Sequence, residues 1–312
     1  MSLRLSRWLP RLRLAALAGA AVAALTACGG EVSDPFKPQR ILSVGDEYSY
    51  IDATSGAKYT INGLTSDSKF DCSVYPLWNQ WVAREYGFTF QECKGADGRA
   101  RALAKEGAKV ADVGVQADVA GGVQDKDLVL LQVGANDVWQ LYQDLIAGGD
   151  LAALKNEATR RGDALGQLVK NWNDKGARVV VMDVFNQGQT PEAGAAAATN
   201  PTARTQLQEL STAFNDGLRA VLSGNQRKTV LVLGNNRLSK AVEDKDLKHR
   251  DTNACLDSVA TAKACSTATL NAGVDPNPRT LDYIFAKDRY LTPAMNQALG
   301  EQAVKETDQH PF

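Results

Sequence analysis

Two carboxylates stand side by side at Asp46-Glu47, just after a short apolar run at 41–44 and Gly45. A second polar pair, Asn136-Asp137, follows a longer apolar run at 128–133 through Gly134 and Ala135. Near the end of the chain, Lys287-Asp288-Arg289-Tyr290 precedes Thr292-Pro293 and a helix-like stretch. Paired carboxylates can serve as acid and base in glycoside hydrolysis when they stand about 5–9 Å apart. Neighbours on one turn do not by themselves give that separation. Ser49 lies two residues beyond Glu47, and a serine needs an adjacent base to become a nucleophile. The two histidines, His249 and His310, are remote in sequence, and a solvated imidazole is the ordinary state of such residues. His249 would reach the site only if a loop carried it there.

Five cysteines complete the inventory. Cys28 stands apart, which leaves Cys72, Cys93, Cys255 and Cys265. No Cys-x-x-Cys pair occurs and neither histidine stands in ligand spacing, so no metal site and no cofactor are expected. An even remainder suggests disulfides in an exported chain. Of three possible pairings, the sequence-local one joins Cys72 to Cys93 and Cys255 to Cys265. The others would tie the late part of the chain to the first helical layer.

Export is indicated independently. Arg4, Arg7, Arg11 and Arg13 precede an apolar stretch at 14–25, too short to span a bilayer and laid out like a secretory signal. Leu25-Thr26-Ala27-Cys28 resembles a bacterial lipobox, which implies cleavage after residue 27, lipidation of Cys28 and anchoring to a membrane surface. Gly29, where an aspartate would signal retention, implies the outer membrane of a bacterial envelope. The 312-residue chain carries a formal net charge of −1; without the first 27 residues 31 bases face 36 acids, a net of −5. With no basic run, nucleic acid is excluded as an expected partner. At 44% hydrophobic and 23% charged residues, the composition is that of a globular chain.

The elements that must position these groups follow from periodicity. Apolar runs at 41–44, 128–133, 178–184 and 229–233 lack period-two alternation, as strands buried on both faces do. Helix-like stretches at 76–86, 138–147, 151–173, 204–222 and 293–306 lie between or after them. Alternation of this kind predicts a three-layer αβα domain with a parallel sheet. The organisation expected is a signal peptide at 1–27, a lipidated cysteine and Pro-containing linker at 28–40, and one domain at 41–312. An aperiodic segment at 243–282 is either a disulfide-pinned insertion or a poorly ordered loop. The alanine-rich 192–199 reads as a low-complexity loop, and Trp78 and Trp81, three apart on a helix, read as core.

In this order the motifs resemble the SGNH, or GDSL, hydrolase family, a flavodoxin-like architecture. Gly45-Asp46-Glu47, Gly107, Gly134-Ala135-Asn136-Asp137 and the block at 285–296 stand for its four conserved pieces. The stretches at 58–62, 107–110 and 210–215 are similar to its intervening segments. The resemblance places Glu47 where the family has its nucleophilic serine, Lys287 where it has its catalytic acid, and Tyr290 where it has its histidine. Gly107 and Asn136 keep the oxyanion donors. An oxyanion hole without a nucleophile stabilises a charge that never forms. The resemblance therefore implies a domain that has lost serine esterase activity and binds a glycan, an acyl chain or a protein in the old cleft. The alternatives are an ester or glycan hydrolase with non-standard residues, and a structural envelope lipoprotein. Asp46 is expected as an acceptor for loop N–H groups and Asp137 as a cap for the helix that follows, both bordering the cleft; Trp139 and Tyr142 start a helix beside it, where packing is favoured over lining a pocket. Lys287, Tyr290 or both are expected to hold the Glu47 carboxylate.

Overall fold

A computed structural model describes residues 36–95, 98–224, 228–244 and 247–309. The expected signal segment, the expected lipidation position Cys28, and His310 lie outside the described residues.

Strands β1 (Arg40–Gly45), β4 (Ala100–Ala102), β5 (Asp127–Gln132), β6 (Arg178–Met182) and β7 (Thr229–Val232) form one parallel sheet in the order β4-β1-β5-β6-β7. Counted within the sheet this is 2-1-3-4-5, the flavodoxin-like order, with its switch point between β1 and β5. Two short pairings stand apart from it. Strands β2 (Gly63–Leu64) and β3 (Phe70–Asp71) form one, while β8 (His249–Asn253), β9 (Tyr283–Lys287) and β10 (Tyr290–Leu291) form a small mixed sheet.

Every residue of β5 is buried, as expected of a central strand covered on both faces. Leu42, Val44, Val129, Leu131, Val179 and Val181 share one core with helices α2 (Val110–Asp118), α3 (Ala135–Ile146), α4 (Leu151–Asp174) and α6 (Ala203–Leu222). On the opposite face, Asn79 of α1 (Trp78–Glu85) donates to Ser43 Oγ at 2.8 Å. Helix α8 (Pro293–Gln309) lies on α1, where a Cβ at Gly300 would come within 2.4 Å of Trp81. The three layers are those expected; Trp78 is fully buried as read, while Trp81 is half-buried against Gly300. No helix among the described residues is long and apolar enough to cross a membrane.

Several elements depart from the sequence reading, α2 and the short strands outside the main sheet among them. Strand β4 is a three-residue edge strand with too little pattern to detect. Residues 191–197, within the alanine-rich segment, form helix α5 (Pro191–Ala197), started by Pro191 at its first position and by Thr190, whose side chain accepts from Ala193 N. Helix α7 (Gly234–Asp244) follows β7.

The aperiodic segment is a disulfide-pinned insertion. Cys255 and Cys265 are bonded with Cα atoms 6.0 Å apart, and Cys72 and Cys93 with Cα atoms 5.6 Å apart, so the sequence-local pairing holds. The insertion buries Ala254, Cys255, Val259 and Cys265 against Ile61, Ala286 and Ala294, a second small core that fastens it to the main domain.

Candidate active site

The site is built where β1 and β5 end. Gly45 closes β1 with φ +130°, and a Cβ there would lie 1.8 Å from the carbonyl oxygen of Gln132. Only glycine lets the chain pass so close and turn at once into the 3-10 turn Glu47–Ser49. Gly134 does the same after β5, at φ +125°, where a Cβ would strike the Phe214 ring at 2.6 Å. These two turns bring Glu47 and Asn136 face to face.

The Glu47 carboxylate is engaged at both oxygens. Oε1 accepts from the backbone N–H of Gly107 at 2.8 Å, and Oε2 accepts from Asn136 Nδ2 at 2.8 Å. Arg289 fixes the orientation of that amide. Its Nη2 donates to Asn136 Oδ1 at 3.0 Å, and because a guanidinium can only donate, Nδ2 must face the carboxylate. Arg289 Nη1 in turn donates to both oxygens of Glu192, at 3.2 and 3.1 Å. Trp139 and Tyr290 flank the guanidinium, which lies 5.4 Å from each ring centroid. Burial opposes the charge on Arg289, but Tyr290, Glu192, Tyr48 and Glu47 outweigh it and hold the group well above its usual range.

Lys287 does not reach Glu47. Its Nζ lies 3.6 Å from Asp257 Oδ1 and 3.5 Å from the Asp257 carbonyl. The reason is the β9–β10 hairpin. Asp288 takes φ +56° at its tip, and the reversal turns Lys287 toward the insertion while Arg289 enters the site. Tyr290 is not a donor to Glu47 either. Its ring packs between Tyr59 and Tyr48, with centroids 4.7 and 5.5 Å away. Arg289 and Glu192 were missed by sequence reasoning. The available signal was the position of Arg289 beside Tyr290 in the last block; Glu192 was hidden in the alanine-rich segment.

Asp46, Asp137 and Trp139 were expected along the cleft, but they are 0%, 2% and 7% exposed and form its buried backing. Asp46 Oδ1 accepts from Tyr48 N at 3.2 Å, the loop role expected of it. Asp137 caps a different helix from the one expected: Oδ2 accepts from Val110 N at 3.1 Å, at the start of α2, and Oδ1 accepts from Arg161 Nη1 at 3.2 Å. Trp139 Nε1 donates to Gln187 Oε1 at 3.0 Å, and its ring meets Tyr142 edge to face. Ser49 is fully buried and accepts from Trp78 Nε1 at 3.1 Å, so it is no nucleophile. His249 stacks on Tyr283, with centroids 3.9 Å apart, and is not among the groups that hold Glu47.

Burial pushes the Tyr290 phenol far above its usual range, and burial with Glu106 and Glu47 pushes Tyr59 up to about 12. Neither phenol can act as a base near neutral pH. Among the described residues, the groups that hold the Glu47 carboxylate are the Gly107 N–H and the Asn136 amide, and neither a serine nor an imidazole is one of them. Behind Tyr48, which meets Phe185 edge to face at 5.1 Å, a cleft of about 710 Å³ opens under the insertion. Phe185 and Phe285 line it together with Arg204, Gln208, Glu243, Lys248, Arg250 and Asp251.

No protein-family profile matches the sequence, and no curated protein is similar to it. Solved structures are similar in the course of the chain. A chain from Parabacteroides merdae assigned as a GDSL-like lipase is 12% identical with a TM-score of 0.47, over 88% of this chain and 97% of that one. An acetylxylan esterase from Geobacillus stearothermophilus is 13% identical with a TM-score of 0.45, over 87% and 95%. An extracellular lipase from Streptomyces rimosus is 16% identical with a TM-score of 0.46, over 87% and 99%. All three scores fall below 0.5, and the chemistry of this site rests on its own side chains.

Proposed function

We propose that this chain is an exported, membrane-anchored domain of SGNH-hydrolase architecture that does not cleave esters and acts as a binding module. One observation carries the reading: the Glu47 carboxylate occupies the Gly107 and Asn136 donors that an ester hydrolase would keep for the developing oxyanion. The carboxylate sits where a reaction product would, held in place by the chain itself. Glu47 with Asp46 as an acid/base pair is the weaker reading, because Asp46 is fully buried and cannot touch a substrate. The ligand class favoured is a glycan, taken up in the cleft behind Tyr48. The aromatic rings of Phe185 and Phe285, with the hydrogen-bonding groups of Gln208, Arg204, Glu243 and Asp251 in the same lining, suit a polyhydroxylated molecule.

Short-chain aryl esters test the loss of activity. Wild-type protein is expected to hydrolyse them no faster than Glu47→Ala, both at the buffer background. Turnover by the wild type that disappears in Glu47→Ala would contradict the proposal and make Glu47 a catalytic group.

Anchoring rests on the N-terminal sequence. Mass spectrometry of protein isolated from membranes is expected to find an N-terminus at Cys28 carrying acyl chains. An unmodified Cys28, or a cut elsewhere, returns the protein to the freely secreted class.

A further inference from the structure

Behind Glu47 the structure leaves two buried acceptors without donors. Among the described residues, Asp46 Oδ2 and Gln132 Oε1 have no hydrogen-bond partner, and the two residues are 0% and 3% exposed. Both border the same crevice, walled by Tyr48, Val133, Val184 and Phe185. The backbone brings them together, since Asp46 N donates to the Gln132 carbonyl at 3.0 Å. An unpaired acceptor in such a place costs about 1–3 kcal/mol. A bridging water would satisfy both, but the crevice leaves no room for one.

We propose that Asp46 is a neutral carboxylic acid in the folded protein, its proton donated from Oδ2 to Gln132 Oε1. A protonated carboxyl supplies the one donor that this pair of oxygens lacks. It also leaves the Asp46-Glu47 pair with a single negative charge, placed on Glu47, where Gly107 and Asn136 can stabilise it. The surroundings agree. Burial, then the neighbouring Glu47, pushes the Asp46 carboxyl well above its usual range, and Asp137 on α3 adds to this. The Tyr48 N–H and Arg289, from the β9–β10 hairpin, pull the other way without cancelling it. The inference does not depend on what the cleft binds.

The sign of the consequence is fixed by linkage. In the unfolded chain Asp46 ionises near its ordinary value of 3.8, while in the folded chain it keeps its proton. Above about pH 4 ionisation lowers the free energy of the unfolded chain alone, and the wild type forfeits stability as the pH rises toward the folded value. Asp46→Asn removes that loss. Its side chain can still accept from Tyr48 N and donate to Gln132.

Thermal melts of the two proteins from pH 4 to pH 8 test the assignment. At pH 7.5 the Asn variant is expected to melt at least about 3 °C above the wild type, with the two within about 1 °C of each other at pH 4. A variant that melts below the wild type at pH 7.5 overturns the proposal, because that is the result for an ionised Asp46 accepting from a turned-over Gln132 amide. If the variant does not fold, carbon NMR of wild-type protein labelled at aspartate carboxyls decides. One resonance that stays protonated at pH 7.5 supports the stored proton, and complete ionisation of every aspartate by pH 6 refutes it.

Discussion

Lys58→Met is expected to lower the stability of the domain by about 3–5 kcal/mol, a large share of the 5–15 kcal/mol that holds a typical domain folded. Lys58 is fully buried, yet its ammonium is supplied with acceptors. Nζ donates to the carbonyl oxygens of Cys72, Val74 and Tyr75 at 2.9, 2.9 and 2.7 Å. Those carbonyls converge because Tyr75 takes φ +54°, folding the segment between the first disulfide and α1 around the lysine. Methionine fills the space of the stem but leaves the Val74 and Tyr75 carbonyls without a donor, while the Cys72 carbonyl keeps Gln80 Nε2 at 2.9 Å. Denaturant unfolding measures the difference, and a loss below about 1 kcal/mol would show that water or a shift of the segment replaces the ammonium. The same residue sets a pH dependence. Burial, reinforced by Arg84, pushes the ammonium down to about 7 from its ordinary 10.5, so between these values the unfolded chain binds a proton that the folded chain sheds. Stability contributed at this site rises with pH across that window, and the rise is absent from the Met variant.

The architecture was legible in the sequence to the extent that burial imposes a pattern. Strands β1, β5 and β6 are covered on both faces, so each is a continuous apolar run. Strand β4 is an edge of three residues, and Ala100-Arg101-Ala102 carries too little apolar surface to announce it. Helix α2 escaped because Val115 and Val119 beside it are 68% and 60% exposed, which blurs the apolar stripe. At the site, Glu47, Gly107 and Asn136 were each identified before their contacts were known. Their mutual geometry was not, because which group holds a carboxylate depends on where a hairpin 240 residues away reverses. Counting along the last block assigned Lys287 to Glu47. The left-handed turn at Asp288 sends Lys287 to Asp257 and brings Arg289 to Asn136 instead.

Glu47→Ala carries the second large effect. It removes the acceptor from the Gly107 N–H and one of two acceptors from Asn136 Nδ2, which keeps the Ala108 carbonyl at 3.0 Å, and it takes a nearby negative charge from Arg289. Hydrogen bonds to a charged group contribute about 1.5–3 kcal/mol each. Gly107 is exposed and can take water in exchange, so the net loss expected is about 2–4 kcal/mol. The vacated space has the size of the missing side chain, with two donors and a guanidinium already in position. A small carboxylate supplied from solution should therefore settle there. Thermal melts of wild type and Glu47→Ala against increasing acetate, at constant ionic strength, test the self-filled donor site most directly. The melting point of the variant is predicted to climb with acetate, each tenfold increase above its Kd adding about 1.4 kcal/mol, while that of the wild type stays fixed. A variant indifferent to acetate, or a wild type that responds equally, would contradict the claim that Glu47 occupies the oxyanion donors.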